Sequence, residues 1–188
     1  MKTTAVFAAT LACASSALAQ NEQYYNLVAS APGEPFDGQD LKPLEGHWHI
    51  GTQANSSCGD AAPAVALIDE AIAVYNDGTS HQQYAYVDIS GAADGLLGLT
   101  PAGTAGVPGE APKGPFALIG SEQDQIYLYY NGADAADSQW LACPGETDGE
   151  FWVYPEQAYS KPVGKDQCTE FRVNAQQVEQ PTEPCVFN

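Results

Sequence analysis

A chain of 188 residues with 24 acidic against six basic side chains carries a formal charge of −18 at pH 7. That balance repels nucleic acid and anionic membranes and excludes both as partners. Hydrophobic residues make up 44% of the chain, enough for one domain with its own core, while the length argues against a second.

The first residues read as a removable address. Lys2, an apolar run over residues 5–14 and the A-x-A site Ala17-Leu18-Ala19 mark residues 1–19 as a signal peptide, with Gln20 as the first mature residue. This predicts a secreted protein whose mature part, residues 20–188, has lost Lys2 and carries a charge of −19. Beyond the signal no apolar run reaches the about 18 residues of a membrane span, and residues 184–188 lack the stretch of a lipid-anchor signal, so no membrane insertion is expected. The acids are scattered, with Asp69-Glu70 the only adjacent pair, and read as a solvated surface.

The mature chain is predicted to be all-β. Short runs rich in β-branched and aromatic residues fall at 24–29, 48–50, 65–68, 72–75, 84–89, 96–99, 116–119, 126–130, 140–143, 151–154 and 171–173, each bounded by Gly, Pro, Asn or Asp. Residues 61–75 also fit a helical period, but the turn signal Tyr75-Asn76-Asp77-Gly78 favours a hairpin. The expected architecture is a single antiparallel β-sandwich or barrel of about ten short strands. An internal echo runs through it: Val65 to Gly78 resembles Phe116 to Gly132, and Asp94-Gly95 before residues 96–99 resembles Asp148-Gly149 before 151–154. Two pseudo-repeats of four strands, or chance likeness among short apolar strands, would each produce it. Residues 101–115, with four Gly and four Pro, are expected to form an exposed, mobile loop.

His47-Trp48-His49 is the sharpest local candidate for chemistry. Alternate residues of a strand share a face, so the two imidazoles could hold a Cu or Zn ion if His81 or an acid supplied a third ligand. The ordinary alternative is a pair of exposed strand histidines with Trp48 turned to the core. The histidine brace of secreted copper oxygenases requires His at the mature N-terminus, where this chain has Gln20. No G-x-S-x-G elbow, H-E-x-x-H helix, phosphate loop or dinucleotide fingerprint occurs, so no catalytic residue, metal ligand or cofactor is assigned. Trp48, Trp140 and Trp152 with ten tyrosines are either a sugar-stacking platform or core aromatics.

With Cys13 in the signal, Cys58, Cys143, Cys168 and Cys185 remain as an even set in an oxidising compartment and are expected to pair. Sequence permits three pairings. The one favoured here joins Cys168 to Cys185, closing the C-terminal segment with a loop of about 16 residues worth about 3 kcal/mol, and leaves Cys58 with Cys143. None of the four has a zinc-spaced partner. Asn55-Ser56-Ser57 is an N-glycosylation acceptor on a surface turn.

The ordered landmarks Tyr24 to Ala29, Asn55-Ser56-Ser57-Cys58-Gly59, Ile126 to Tyr129, Leu141-Ala142-Cys143-Pro144, Phe151 to Tyr154, Asp166-Gln167-Cys168 and Pro184-Cys185 resemble the small secreted cell-wall proteins of filamentous fungi typified by the phialide protein PhiA. Relatives in that family are described as IgE-binding allergens. The resemblance implies an extracellular, wall-associated, non-enzymatic protein connected with asexual spore formation, with cell-wall polysaccharide as candidate partner and no catalytic residues to carry over. Two other roles fit a stable secreted surface: a carbohydrate-binding protein or glycan-active enzyme, and an effector or elicitor directed at a host.

Overall fold

Alternation of apolar and polar residues, the pattern of a half-buried strand, governs the mature chain. The computed structural model describes residues 22–188 except 77, 79–81, 105, 109–110, 121–124, 131–138 and 162–163. The signal peptide with Gln20, His81 and the Asn131-Gly132 turn lie outside the described residues. The strands are β1 (Tyr24–Ser30), β2 (Lys42–Leu44), β3 (His47–Ile50), β4 (Val65–Ile68), β5 (Ala71–Val74), β6 (Ala85–Asp88), β7 (Leu96–Leu99), β8 (Phe116–Gly120), β9 (Ile126–Tyr130), β10 (Trp140–Pro144), β11 (Phe151–Pro155) and β12 (Thr169–Val178). All pairings are antiparallel. The stretch 61–75 contains the β4–β5 hairpin, residues 65–74, rather than a helix, with Asp69 and Glu70 as its two-residue turn, both at positive φ as a primed hairpin turn requires.

The hydrogen-bonded path runs β5-β4-β1-β12-β10-β11-β3-β7-β6. Its two ends meet: Ala73 of β5 bridges Tyr84 just before β6, and Val74 N–H donates to Gln83 C=O at 3.0 Å. The path therefore closes on itself, so that neither β5 nor β6 is left as the free edge of an open sheet. Strand β2 pairs on β3, and the β8–β9 hairpin pairs on β12 through β9. Each of the two similar stretches is two successive hairpins, β4–β5 with β6–β7 and β8–β9 with β10–β11, and the last strand of each pairs on β3.

Every strand but the short β2 sends alternate side chains into one interior. Leu27, Trp48, Ile50, Ile72, Val87, Leu97, Leu128, Trp140, Val153, Phe171 and Val173 are all buried there, each large side chain contributing about 1.5–3 kcal/mol of apolar transfer. Two chain segments outside the strands complete the filling. The loop after β1 folds back on it, with Ala31 N–H donating to Asp37 Oδ1 at 2.8 Å, and inserts Phe36 against Phe151 and Phe171. The C-terminal tail inserts Phe187, 1% exposed, and the buried Gln83 side chain holds it by accepting from Phe187 N–H and donating to the C=O of Phe187 and Thr100.

The disulfides correct the expected pairing. Cys58 joins Cys185 and Cys143 joins Cys168. The reason lies in β12: its ten residues carry the chain about 33 Å away from Cys168 at strand rise, so Cys185 cannot return to it cheaply. Ala142 instead pairs with Thr169, which sets Cys143 beside Cys168. The tail runs antiparallel to Ser56-Ser57, with Ser57 N–H donating to Val186 C=O at 2.9 Å, and delivers Cys185 to Cys58.

The Gly/Pro-rich segment departs from expectation at its second half. Residues 101–104 are exposed, but Ala111 is buried, Pro112 C=O accepts from Val87 N–H at 3.0 Å, and Lys113 Nζ sits 4.0 Å over the Tyr84 ring. This stretch flanks β6 and is anchored. No helix among the described residues is long and apolar enough to cross a membrane.

Candidate functional site

Because the inward set is fully committed to packing, chemistry-bearing side chains lie on the outer face. Strand β3 buries Trp48 and Ile50 inside, so His47 and His49 point outward, the alternation that the sequence requires. Pairing of β11 with β3 sets Trp152 opposite His49. The Trp152 ring packs against both imidazoles, with centroids at 4.5 Å from His49 and 5.5 Å from His47. Glu150, two residues before Trp152, places Oε1 2.7 Å from His49 Nδ1.

The histidines are not the exposed pair that the sequence suggested. His49 is 2% exposed and His47 is half-buried, because Trp152 and Glu150 cover them. His49 Nε2 has no hydrogen-bond partner among the described residues. Burial holds the His49 pKa below the usual imidazole value, against the opposing pull of the Glu150 carboxylate. His47 is lowered for the same reason, against Asp88 and Glu45. No three His, Cys, Asp or Glu side chains converge on a metal position among the described residues, and His81 lies outside them.

Beside this cluster a second apolar layer covers the outer face. Leu96, Leu141, Cys143 and Tyr154 pack together beneath Ala93, Trp152, Tyr159 and Cys168. Its cover depends on close backbone approach at Gly95. That residue sits at φ +95°, and a Cβ there would lie 2.1 Å from Ala158 C=O. Tyr159 stacks edge-on against Tyr154 at 5.1 Å, and Lys161 Nζ donates to Tyr154 Oη at 2.9 Å. The cluster is thereby a built, internally partnered surface.

The three tryptophans do not form a platform. Trp48 and Trp140 are interior, at 0% and 1% exposure, and only Trp152 reaches the outer face. Asn55 is exposed, while its backbone is held by Pro43 C=O and Asn188 N–H, so its side chain stands free of the ladder at the stapled end of the molecule.

One concave feature was not legible as a site. Strand β12 pairs with β10 through Thr169–Phe171 and with β9 through Val173–Asn174, so Arg172 stands between the two pairings, opposite Ser30 at the end of β1. Trp140 Nε1 spans the neighbouring strands by donating to Leu128 C=O at 2.9 Å. A groove of about 390 Å³ opens there, lined by polar side chains from four parts of the chain. The signal available in the sequence was Arg172 itself, the sole arginine of an acidic chain. Glu150 as the partner of His49 had no such signal, because the contact depends on the register of β11 against β3.

Comparison with known proteins agrees with the resemblance carried by the landmarks. A family model described as PhiA-like secreted protein matches residues 25–187. The chain is 24% identical over 186 residues to a protein of Aspergillus fumigatus named cell wall protein phiA, covering 97% of this chain and 95% of that one. It is 25% identical over 185 residues to the protein of the same name from Emericella nidulans, covering 96% of each. No solved structure matches the chain.

Proposed function

The chain belongs to the PhiA-like secreted protein family and is a secreted protein of the cell wall, and we propose that it works there without catalysis, as a structural or recognition component of the wall. The observation that carries this reading is the closed and filled ring. Its ends meet at Ala73 and Tyr84, Phe36 and Phe187 complete its interior, and two disulfides fix it, so its polar side chains are offered outward. Such a body suits persistence outside the cell, where a domain is not renewed and an oxidising medium keeps its bridges intact. A connection with the conidiophore and spores, implied by the family, is part of the same proposal.

The test is sedimentation of purified hyphal walls with tagged mature protein. Retention in the wall pellet after washing is expected. A protein that stays wholly in the medium and washes off chitin and glucan alike would end the proposal. A fluorescent fusion expressed from the native promoter addresses the developmental part: enrichment on conidiophores is expected, and uniform labelling of vegetative hyphae removes it.

A further inference from the structure

Resting on the wall reading above, we propose that the groove at the β12 junction binds a neutral, hydroxyl-rich glycan chain, with Arg172, Gln139 and Glu170 as its polar contacts. The groove is lined by Tyr127, Arg172, Gln139, Thr169, Glu170 and Glu34, among others. Its place follows from topology: β1 ends at Ser30, and Arg172 lies between the β10 and β9 pairings. Its volume falls within the range of small-molecule and oligosaccharide-sized clefts, about 300–1,000 Å³.

The chemistry of the lining selects the ligand. Arg172 supplies a planar fork of donors, Glu170 and Glu34 supply acceptors, and Gln139 and Thr169 supply both. A ligand matched to such a mixture must itself donate and accept at closely spaced points, which the vicinal hydroxyls of a sugar do. An anionic ligand is disfavoured twice over. The whole chain repels it, and among the described lining residues two carboxylates share the groove with a single cation. A small cation would find Arg172 in its way.

Arg172 is also unspent. In a chain with four times as many acids as bases it makes no ion pair among the described residues, and its guanidinium lies over the Tyr127 ring, Cζ 5.5 Å from the centroid. Tyr127 is in turn fixed by its hydroxyl, which donates to Gln125 Oε1. The ring thus holds the guanidinium in place while leaving its N–H groups for a ligand.

The experiment titrates the mature protein with laminarihexaose, chitohexaose and an oligogalacturonate by calorimetry, in parallel with wall sedimentation. Saturable binding of a neutral hexamer is expected, the hexamer that binds naming glucan or chitin as the source. Arg172→Ala and Gln139→Ala are each expected to weaken it at least tenfold, and Arg172→Lys, which keeps the charge but loses the fork, to weaken it as well. Lys42→Ala, outside the groove and paired with Asp60, is expected to leave it unchanged. Thermal melts of each variant separate lost binding from lost folding. Absence of saturable binding by both neutral hexamers, wild-type affinity in a folded Arg172→Ala variant, or preference for oligogalacturonate overturns the proposal. If wild-type protein sediments with walls but neither hexamer titrates, the groove assignment falls and the wall reading stands; if it does neither, both fall.

Discussion

Replacing Cys58 and Cys185 together by serine removes the bridge that staples the C-terminal tail. The two cysteines are 127 residues apart, and in the chain-entropy account a loop of that size contributes about 5 kcal/mol by restricting the unfolded chain. The second bridge, between residues 25 apart, contributes about 3.5 kcal/mol on the same basis. Because the short loop is nested within the long one, the effective length of the latter is reduced, but the logarithmic dependence makes that correction only about 0.2 kcal/mol. The folded state should survive the loss, since Phe187 stays buried and Gln83 still makes three hydrogen bonds to the tail and Thr100. Denaturant unfolding under non-reducing conditions, followed by the fluorescence of the three tryptophans, gives both costs. The double variant Cys58→Ser/Cys185→Ser is expected to lose more stability than Cys143→Ser/Cys168→Ser. The reverse order, or a loss below about 1 kcal/mol for the long loop, would refute the assignment of its stabilisation to the unfolded chain.

Acidification probes the outer-face histidines. Their folded-state pKa values lie below the ordinary 6.5, so the unfolded chain binds their protons more readily. The resulting stability is fully present above pH 6.5 and is lost progressively as pH falls from there to the folded-state values. His47→Gln/His49→Gln should therefore lose less stability than wild type between pH 7 and pH 5 in thermal melts; equal losses would contradict the burial argument. Gly95→Ala must place a side chain at positive φ and against Ala158 C=O, and should lower stability by at least about 1–3 kcal/mol, the cost of the strained backbone alone, with an unchanged melt as the contrary result. Secreted Asn55→Gln is expected to migrate faster than wild type by one N-glycan on a gel; identical mobility of the two would show the sequon to be unused.

Strand positions were legible because they depend on local alternation. The runs at 65–68, 96–99 and 126–130 became β4, β7 and β9 without change of bounds. Strand β2 carries no sequence signal, since Lys42-Pro43-Leu44 is three residues long with a proline at its centre and exists only because β3 lies alongside. The sequence marks β12 only over residues 171–173, whereas the strand has ten residues: its outward Arg172, Asn174 and Gln176 are polar, and only Phe171, Val173 and Ala175 mark its inner face. Trp48 could be turned to the core from its place between two histidines. The burial of His49 could not be foreseen, because Trp152 and Glu150 arrive from about a hundred residues away in sequence.

By itself the sequence determined the predicted secretory address, the all-β alternation, the set of cysteines that pair and the family. Each of these is written in composition, in neighbouring residues, or in the order of short landmarks. Only the tertiary structure decided which cysteine meets which, that the strand path closes between Ala73 and Tyr84, and that a lone arginine stands in a groove between two strand pairings. The reason is physical: alternation dictates which face of a strand is buried, whereas partner and register are chosen by the packing of all strands around one interior, where a change at any one pairing moves residues far away in the chain.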